Sequence, residues 1–98
     1  MKKITITSDT LVMRNSDMLT SKMDGEIVMM SIENGEYYGL DLIGSKIWEL
    51  MENPLQVNEI IEQLLAEYDV DPEECSKDTI EFLRALTDRN LIIFPEQD

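Results

Sequence analysis

The stretch from residue 33 to residue 48 constrains the fold most, because it passes from a turn signal to a strand pattern and then to a helix pattern. Asn34-Gly35 is a strong signal for a two-residue hairpin turn, since a type I′ turn needs positive φ at both central positions and these residues tolerate it best. The sequence therefore predicts that residues 27–32 pair antiparallel with residues 36–40.

A helix is predicted to begin directly after this second strand. Asp41 is expected to be its N-cap, because a carboxylate there can accept a hydrogen bond from a backbone N–H that the first turn leaves unpaired. Asn53-Pro54 predicts that the helix has ended by this point, since the residue before a proline is pushed out of the α region. Between these limits, apolar residues recur at helical spacing, namely Ile43, Ile47, Leu50 and Met51.

Another hairpin is predicted just upstream, where Asp24-Gly25 separates residues 18–23 from residues 26–32. Together the two hairpins predict a three-stranded antiparallel meander. Two-residue turns would place Met23 opposite Glu26 and Met29 opposite Leu40.

Both faces of this meander are predicted to be apolar, although a small antiparallel sheet usually leaves one face to water. Either the N-terminal arm covers the second face or that face binds a partner, and we expect the arm to cover it. One face carries Leu19, Val28, Met30, Ile32 and Tyr37, and the other carries Met18, Ile27, Met29, Tyr38 and Leu40.

Two more helices are predicted in the second half of the chain. Asp71 as N-cap, Pro72 at the first helical position and Glu74 two residues later predict a helix over residues 72–89. Asn90 is the predicted cap at its end, followed by a short apolar strand over residues 91–94. The preceding helix is indicated by an amphipathic stripe of Val57, Ile60, Ile61, Leu64, Leu65 and Tyr68.

The apolar surface of the last predicted helix is wider than one stripe needs. One line of side chains can face the core while an adjacent line forms the wall of a groove. The two lines are Ile80, Leu83 and Thr87, and Cys75, Thr79, Phe82 and Leu86.

Composition excludes several classes of function. A chain of 98 residues is long enough for one domain with a modest core. It has no histidine and only one cysteine, so an intrachain disulfide, a zinc site of the usual Cys/His type and the common nucleophile–base pairs all lack their parts. We therefore expect a protein that is not an enzyme and that needs no cofactor or metal. Neither a signal peptide nor a membrane-spanning stretch is predicted, which favours the cytoplasm.

Charge further narrows the choice of partner. The chain has 21 acidic and 8 basic residues, a formal net charge of −13. Residues 49–81 hold eleven of the acids and a single base, Lys77. Such a surface repels the phosphate backbone of a nucleic acid and favours a basic peptide or protein patch, unless the charge serves only solubility.

These elements predict an α+β domain that is winged helix-turn-helix-like, with a three-stranded antiparallel meander followed by three helices. We expect residues 1–17 to be a loosely held arm with room for one short strand, residues 18–94 to be the domain, and residues 95–98 to be a polar tail.

The order and spacing of several short runs resemble the PqqD-like family over residues 18–94. The runs are Gly35-Glu36-Tyr37-Tyr38-Gly39-Leu40-Asp41, then Gly44 and Ile47-Trp48, then Val57, Glu59 and Ile60-Ile61, and finally Glu67-Tyr68-Asp69-Val70-Asp71. The likeness is greatest to the stand-alone RiPP recognition elements of lasso-peptide biosynthesis, which act on ribosomally made, later modified peptides. The resemblance implies a non-catalytic chaperone that binds the leader of a precursor peptide and presents it to a leader peptidase and a macrocyclase.

The resemblance also implies where the leader binds, as an added strand on the edge of the third strand with its side chains against the third helix. Nothing in residues 36–40 blocks such an edge, since the segment has neither proline nor lysine. At Gln56 the sequence departs from the family, where Thr or Ser is a common cap, and this weakens only the start of the second helix. The implied leader-binding residues are Tyr37, Tyr38, Gly39, Leu40, Thr79, Phe82, Leu83 and Leu86, of which Tyr38, Leu40, Leu83 and Leu86 fit the core equally well.

Two other classes remain as alternatives. One is a winged-helix transcription regulator, against which the acidic second and third helices argue. The other is an adaptor subunit that binds a folded protein partner through its apolar sheet face.

Overall fold

Six strands and three helices make up the computed structural model, which describes residues 5–95. The strands form two three-stranded antiparallel sheets, ordered β2-β3-β4 and β5-β1-β6, so the predicted α+β class with three helices is confirmed. Residues 1–4 of the predicted arm and 96–98 of the predicted tail lie outside the described residues. The elements are β1 (Leu11–Arg14), β2 (Met18–Met23), β3 (Glu26–Ser31), β4 (Tyr37–Gly39), α1 (Leu42–Leu50), β5 (Leu55–Gln56), α2 (Val57–Glu67), α3 (Pro72–Asp88) and β6 (Ile92–Ile93).

The N-terminal segment is held more firmly than the sequence predicted. Strand β1 is the central strand of its sheet, where it pairs with β5 on one side and with β6 on the other. Val12 on β1 is completely buried. This segment therefore joins the connection between α1 and α2 to the strand that follows α3, instead of lying over the meander.

The hairpin between β2 and β3 confirms its prediction. Asp24 and Gly25 both have positive φ, 54° and 84°, as a type I′ turn requires. Met23 pairs with Glu26, and the ladder continues in that register to Met18 and Ser31.

The hairpin between β3 and β4 has a different turn from the one predicted, and the two-residue turn at Asn34-Gly35 was wrong. Of these two residues only Gly35 has positive φ. The loop has four residues, 32–35, and is closed by the Ser31 N–H, which donates to the Glu36 carbonyl at 2.9 Å. The Asn34 side chain instead accepts from the Glu36 N–H at 3.1 Å, a local bond that favours a wider turn.

The longer loop shifts the register between β3 and β4 by two residues. Met29 pairs with Tyr38, where the prediction placed Leu40. Because side chains alternate with a period of two, a shift of two leaves each of them on its predicted face.

One face of the meander packs on the helices and the other is open. Ile27, Met29 and Leu40 are buried on the inner face. On the outer face Ile32 is 59% exposed and Tyr37 is 74% exposed, and Leu19 and Val28 are exposed as well. The expected cover by the N-terminal arm was wrong, because the arm's strand completes the other sheet.

The predicted caps form at the helix ends. Asp41 Oδ1 accepts from the Gly44 N–H at 2.7 Å, and Asp71 Oδ2 accepts from the Glu74 N–H at 3.0 Å. At the end of α3, Asn90 has a positive φ of 63°. The Leu91 N–H donates to the Leu86 carbonyl at 2.9 Å, which closes a Schellman motif and directs the chain into β6.

The core lies between the inner face of the meander, the three helices and β1. Its fully buried members include Trp48, Met51, Ile60, Leu83 and Leu91. None of the helices within residues 5–95 has both the length and the apolar character needed to cross a membrane.

Ser45 joins the sheet to the first helix. Its side chain is buried, its Oγ accepts from the Ile27 N–H at 2.8 Å, and its hydroxyl donates to the Leu40 carbonyl at 3.3 Å. The Leu40 N–H donates directly to the Ile27 carbonyl at 2.8 Å. Ile27 and Leu40 therefore make one of the two direct hydrogen bonds of a ladder pair. The Ser45 hydroxyl takes the place of the other, by bridging the Ile27 N–H and the Leu40 carbonyl where the chain turns into α1.

Replacing this hydroxyl should be costly. We expect Ser45→Ala to lower the free energy of unfolding by about 1–3 kcal/mol, because the buried Ile27 N–H and Leu40 carbonyl both lose their partner. Urea denaturation measures the change, with Ser21→Ala on exposed β2 as the matched control, for which we expect less than about 0.5 kcal/mol. Equal stability of the two variants would contradict this role for Ser45.

Candidate functional site

The outer edge of β4 is the first part of the site. Within residues 5–95 strand β4 pairs with β3 alone, so no described strand occupies its other edge. The Ser31–Glu36 and Leu40–Ile27 hydrogen bonds at the two ends of this ladder fix which backbone groups of β4 point toward β3 and which point away from it. The N–H groups of Tyr38 and Leu40 therefore point toward β3, and those of Tyr37 and Gly39 point outward.

Gly39 keeps this edge accessible. It is exposed, and apart from Gly39 itself and its two chain neighbours no heavy atom of residues 5–95 lies within 4 Å of the position that a β-carbon would take. Another backbone can therefore approach β4 closely at this point.

A pocket of about 580 Å³ opens beside the end of β4. It lies among the start of α1, the end of α2 and the first half of α3. Four of the residues implied as leader-binding line it: Gly39, Leu40, Thr79 and Phe82. The other lining residues are Asp41, Ile43, Gly44, Ile47, Leu64, Tyr68, Val70, Asp71, Glu74, Cys75 and Asp78.

Phe82 on α3 forms part of the wall of this pocket. We call the surface between the free edge of β4 and α3 the groove. The Phe82 ring packs so closely on Gly44 that a β-carbon there would lie 3.2 Å from Cζ. The side chain is only half-buried and contacts the edge of the core. Phe82 therefore presents an aromatic surface to whatever enters the groove.

The other end of the site is built around Tyr38 and Arg89. The Arg89 guanidinium lies over the Tyr38 ring, 5.5 Å from its centroid, and Arg89 Nη1 is 3.8 Å from Glu36 Oε1. The Tyr38 hydroxyl donates to the same Glu36 oxygen at 2.8 Å. Tyr37 joins these three residues in lining a shallow second cavity of about 450 Å³.

Leu83 and Leu86 are buried in the core, one of the two placements that the sequence allowed for them. Leu83 is 0% exposed and Leu86 is 5% exposed, and neither is among the residues lining the pocket. Both belong to the core cluster against which Phe82 packs. The physical reason is that the core stripe of α3 follows Cys75, Thr79, Leu83 and Leu86, so that Phe82 alone of the predicted set projects sideways.

Sequence analysis missed the acidic lining of the pocket. Asp41 and Asp71 were recognised as helix caps, but nothing local indicated that both caps meet at one cavity. Asp78 had a detectable signal, because it lies one helical turn before Phe82 on α3. Glu74 lies one turn before Asp78 in the same way.

The site combines several features that suit the binding of a peptide strand. Within residues 5–95 no three His, Cys, Asp or Glu side chains come together as a metal site would require. Cys75 is buried at the back of the pocket. What the site does offer is a strand edge with outward N–H groups, an aromatic wall and a carboxylate-lined pocket.

Comparison with known proteins identifies the family. A family model described as coenzyme PQQ synthesis protein D (PqqD) matches residues 26–92, more than half of the chain. The chain therefore belongs to the PqqD family, and the resemblance expected from the sequence is confirmed.

Two solved structures share the fold. TbiB1 in complex with the TbiA(beta) leader peptide is 35% identical, with a TM-score of 0.76 over 82% of this chain and 93% of that chain. A lasso peptide synthetase B1 complexed with the leader peptide is 16% identical, with a TM-score of 0.73 over 84% of this chain and 96% of that chain. The second likeness shows the fold alone. A search of curated protein sequences finds no match to this chain.

Proline substitutions test the geometry of the β4 edge. Gly39→Pro should leave a folded domain, since the N–H that it removes points away from β3 and a proline at a free edge is tolerated. Tyr38→Pro should unfold the hairpin, because it removes a rung of the internal ladder. Circular dichroism melts of both variants check this, and an unfolded Gly39→Pro variant would show that the assigned alternation is incorrect.

Proposed function

We propose that this protein is a non-catalytic recognition element that binds the leader segment of a ribosomally made precursor peptide. The leader adds as a strand to the free edge of β4 and is held against α3. In the cytoplasm it is then presented to a leader peptidase and a macrocyclase for lasso-peptide maturation. The observation that carries this proposal is the unblocked β4 edge lying directly beside the Phe82 groove and its 580 Å³ pocket.

Main-chain pairing supplies the first part of the binding free energy. The outward N–H groups of Tyr37 and Gly39 are donors that the free protein leaves to water. A leader in extended conformation satisfies both of them, while the outward carbonyls of the same two residues accept from the leader. This part of the interaction does not depend on the leader's sequence.

Side-chain contacts supply specificity. Alternate side chains of an added strand point to the inner face of the sheet, the face on which Tyr38 and Leu40 lie. On that side they meet Phe82, the pocket at one end and the Tyr38–Arg89 cavity at the other. Thr79 contributes at the back of the pocket, whereas Leu83 and Leu86 act beneath it as support.

The relatives agree with this function. TbiB1, which is 35% identical to this chain, was solved with a leader peptide bound. The groove and strand edge described above are of the kind that such a peptide needs. We include in the proposal that the meander and the three helices form a winged-helix type of arrangement.

The open outer face of the meander favours an additional protein contact. Leu19, Ile32 and Tyr37 form part of an apolar surface that water covers in the free chain. An adaptor role through this face is therefore compatible with leader binding. A role in DNA binding is disfavoured by the net charge of −13.

Calorimetry with the separate leader and core halves of a candidate precursor peptide tests the proposal. We expect the leader half to bind with a dissociation constant in the micromolar range or below, and the core half and duplex DNA not to bind. Gly39→Pro should weaken leader binding by about fivefold or more, the equivalent of one lost hydrogen bond.

The matched control is Thr20→Pro. Thr20 lies on β2, the opposite free edge of the same sheet, and its N–H also points away from the sheet. Leader binding should be unchanged in this variant. Equal binding of the leader and core halves, or an equal loss in both proline variants, would rule out strand addition at β4.

A second measurement addresses the groove. Phe82→Ala should weaken leader binding yet keep a cooperative melt, because a half-buried ring contributes less to the fold than the ~3–5 kcal/mol typical of a fully buried one. Phe94→Ala is the matched control, since Phe94 is also half-buried against the core but lines no described cavity. If Phe82→Ala lost stability on the scale of a core aromatic and kept its affinity, Phe82 would belong to the core instead of the groove.

A further inference from the structure

We infer that the pocket at the Gly39 end of the groove selects a lysine or arginine side chain at one position of the bound leader. This inference rests on the proposed function and deepens it by naming the chemistry of the peptide. It concerns a single pocket with apolar walls and acidic lining, not the overall charge of the chain.

The walls of the pocket fit the stem of a long cationic side chain. Ile43, Leu64 and Phe82 supply apolar surface on three sides. Lysine and arginine bury their methylene stems along such surface while the charged end reaches polar groups. A volume of about 580 Å³ leaves room for either side chain together with neighbouring leader atoms.

The charged groups of the pocket all have one sign. Asp41, Asp71, Glu74 and Asp78 line it, and none of its lining residues is basic. The three ion pairs formed within residues 5–95 are Lys22–Glu49, Lys46–Glu67 and Arg89–Glu36, and none of them uses a pocket carboxylate. The pocket therefore presents negative charge that no described lysine or arginine neutralises.

The helix starts at the pocket do not cancel this charge. The first turns of α1 and α3 both carry partial positive charge, but each already has its own carboxylate cap, Asp41 and Asp71. Glu74 and Asp78 come in addition to these caps. They lie four residues apart on α3, so their carboxylates share one face of the helix.

Thr79 gives a second, independent indication of a hydrogen-bonding ligand. Its side chain is 2% exposed and lines the pocket. Its hydroxyl has no hydrogen-bond partner within residues 5–95, although every fully enclosed side-chain nitrogen or oxygen in that part has one. Oγ1 therefore faces the pocket space, where it can accept from an ammonium or guanidinium group that the carboxylates attract.

The opposite end of the groove makes the selection specific to one position. Arg89 occupies that end, stacked on Tyr38 and close to Glu36. The cavity at that end is lined by one base and one acid that pair with each other, so it lacks the excess of negative charge that would attract a cationic leader side chain at the Gly39 end. The basic residue should therefore occur at a fixed distance from the apolar side chains that contact Phe82.

Selection from a displayed library of random peptides tests this without knowledge of the precursor. The wild-type chain should enrich peptides with Lys or Arg at one fixed position. A peptide from that pool should bind the double variant Glu74→Gln/Asp78→Asn about tenfold more weakly, the loss expected for a charge-assisted contact. The matched control Glu62→Gln/Glu81→Gln removes two charges outside the pocket and should change affinity less than twofold.

Reversing the charge of one pocket residue tests whether the pocket then selects peptides of the opposite charge. Selection on Asp78→Lys should shift the enriched residue at that position from Lys or Arg to Asp or Glu. Weaker binding to Gly39→Pro shows that an enriched peptide binds at the β4 edge. If such peptides are enriched but share no basic position, this inference is overturned and the proposed function is left intact. If no peptide is enriched, or if Gly39→Pro binds the pool as well as the wild type, both are overturned.

Discussion

The buried hydroxyl of Ser45 is the interaction on which the rest of the site depends. By bridging the Ile27 N–H and the Leu40 carbonyl, it lets β4 leave its ladder and enter α1 without an unpaired buried group. The direction of α1 then brings Gly44 under the ring of Phe82. The strand edge and the aromatic wall are therefore set at a fixed distance by one side chain that touches neither solvent nor ligand.

Local signals in the sequence were sufficient for most of the fold but not for the assembly of the site. Asp24-Gly25, the caps at Asp41 and Asp71 and the stripe of α2 are each decided by neighbours in the chain, and each is found as predicted. Asn34-Gly35 was misread, because the Asn34 side chain accepts a bond from the Glu36 backbone. Leu83 and Phe82 are adjacent, and helical spacing alone could not decide which of them faces inward. The pocket itself joins residues from four elements, so no local pattern describes it.

The carboxylates at the pocket fall into two groups, those that cap a helix and those that only add negative charge. Asp41 and Asp71 stabilise helix starts, and any helix of this kind needs such a cap. Glu74 and Asp78 make no ion pair within residues 5–95, so the protein keeps their mutual repulsion uncompensated in the free state. Like-charge pairs at this spacing destabilise a helix by a few tenths of a kcal/mol, roughly what a favourable pair would contribute. A cationic side chain of the kind we infer would relieve that repulsion on binding, which would link recognition to the stability of α3.

The four-residue loop between β3 and β4 has a consequence for how such proteins can diversify. In the structure, two residues that the sequence assigned to β3 lie in the loop, and the pairing differs from the predicted one by two residues. Tyr38 and Leu40 nevertheless lie on the inner face, and the Gly39 N–H lies at the edge. A change of one residue would instead turn the inner face outward and direct the free donors of β4 into the sheet. A loop longer or shorter by two residues would therefore keep the same side chains of β4 on the inner face and the same donors at its edge, so the parity of the loop length matters more to this surface than the loop's sequence.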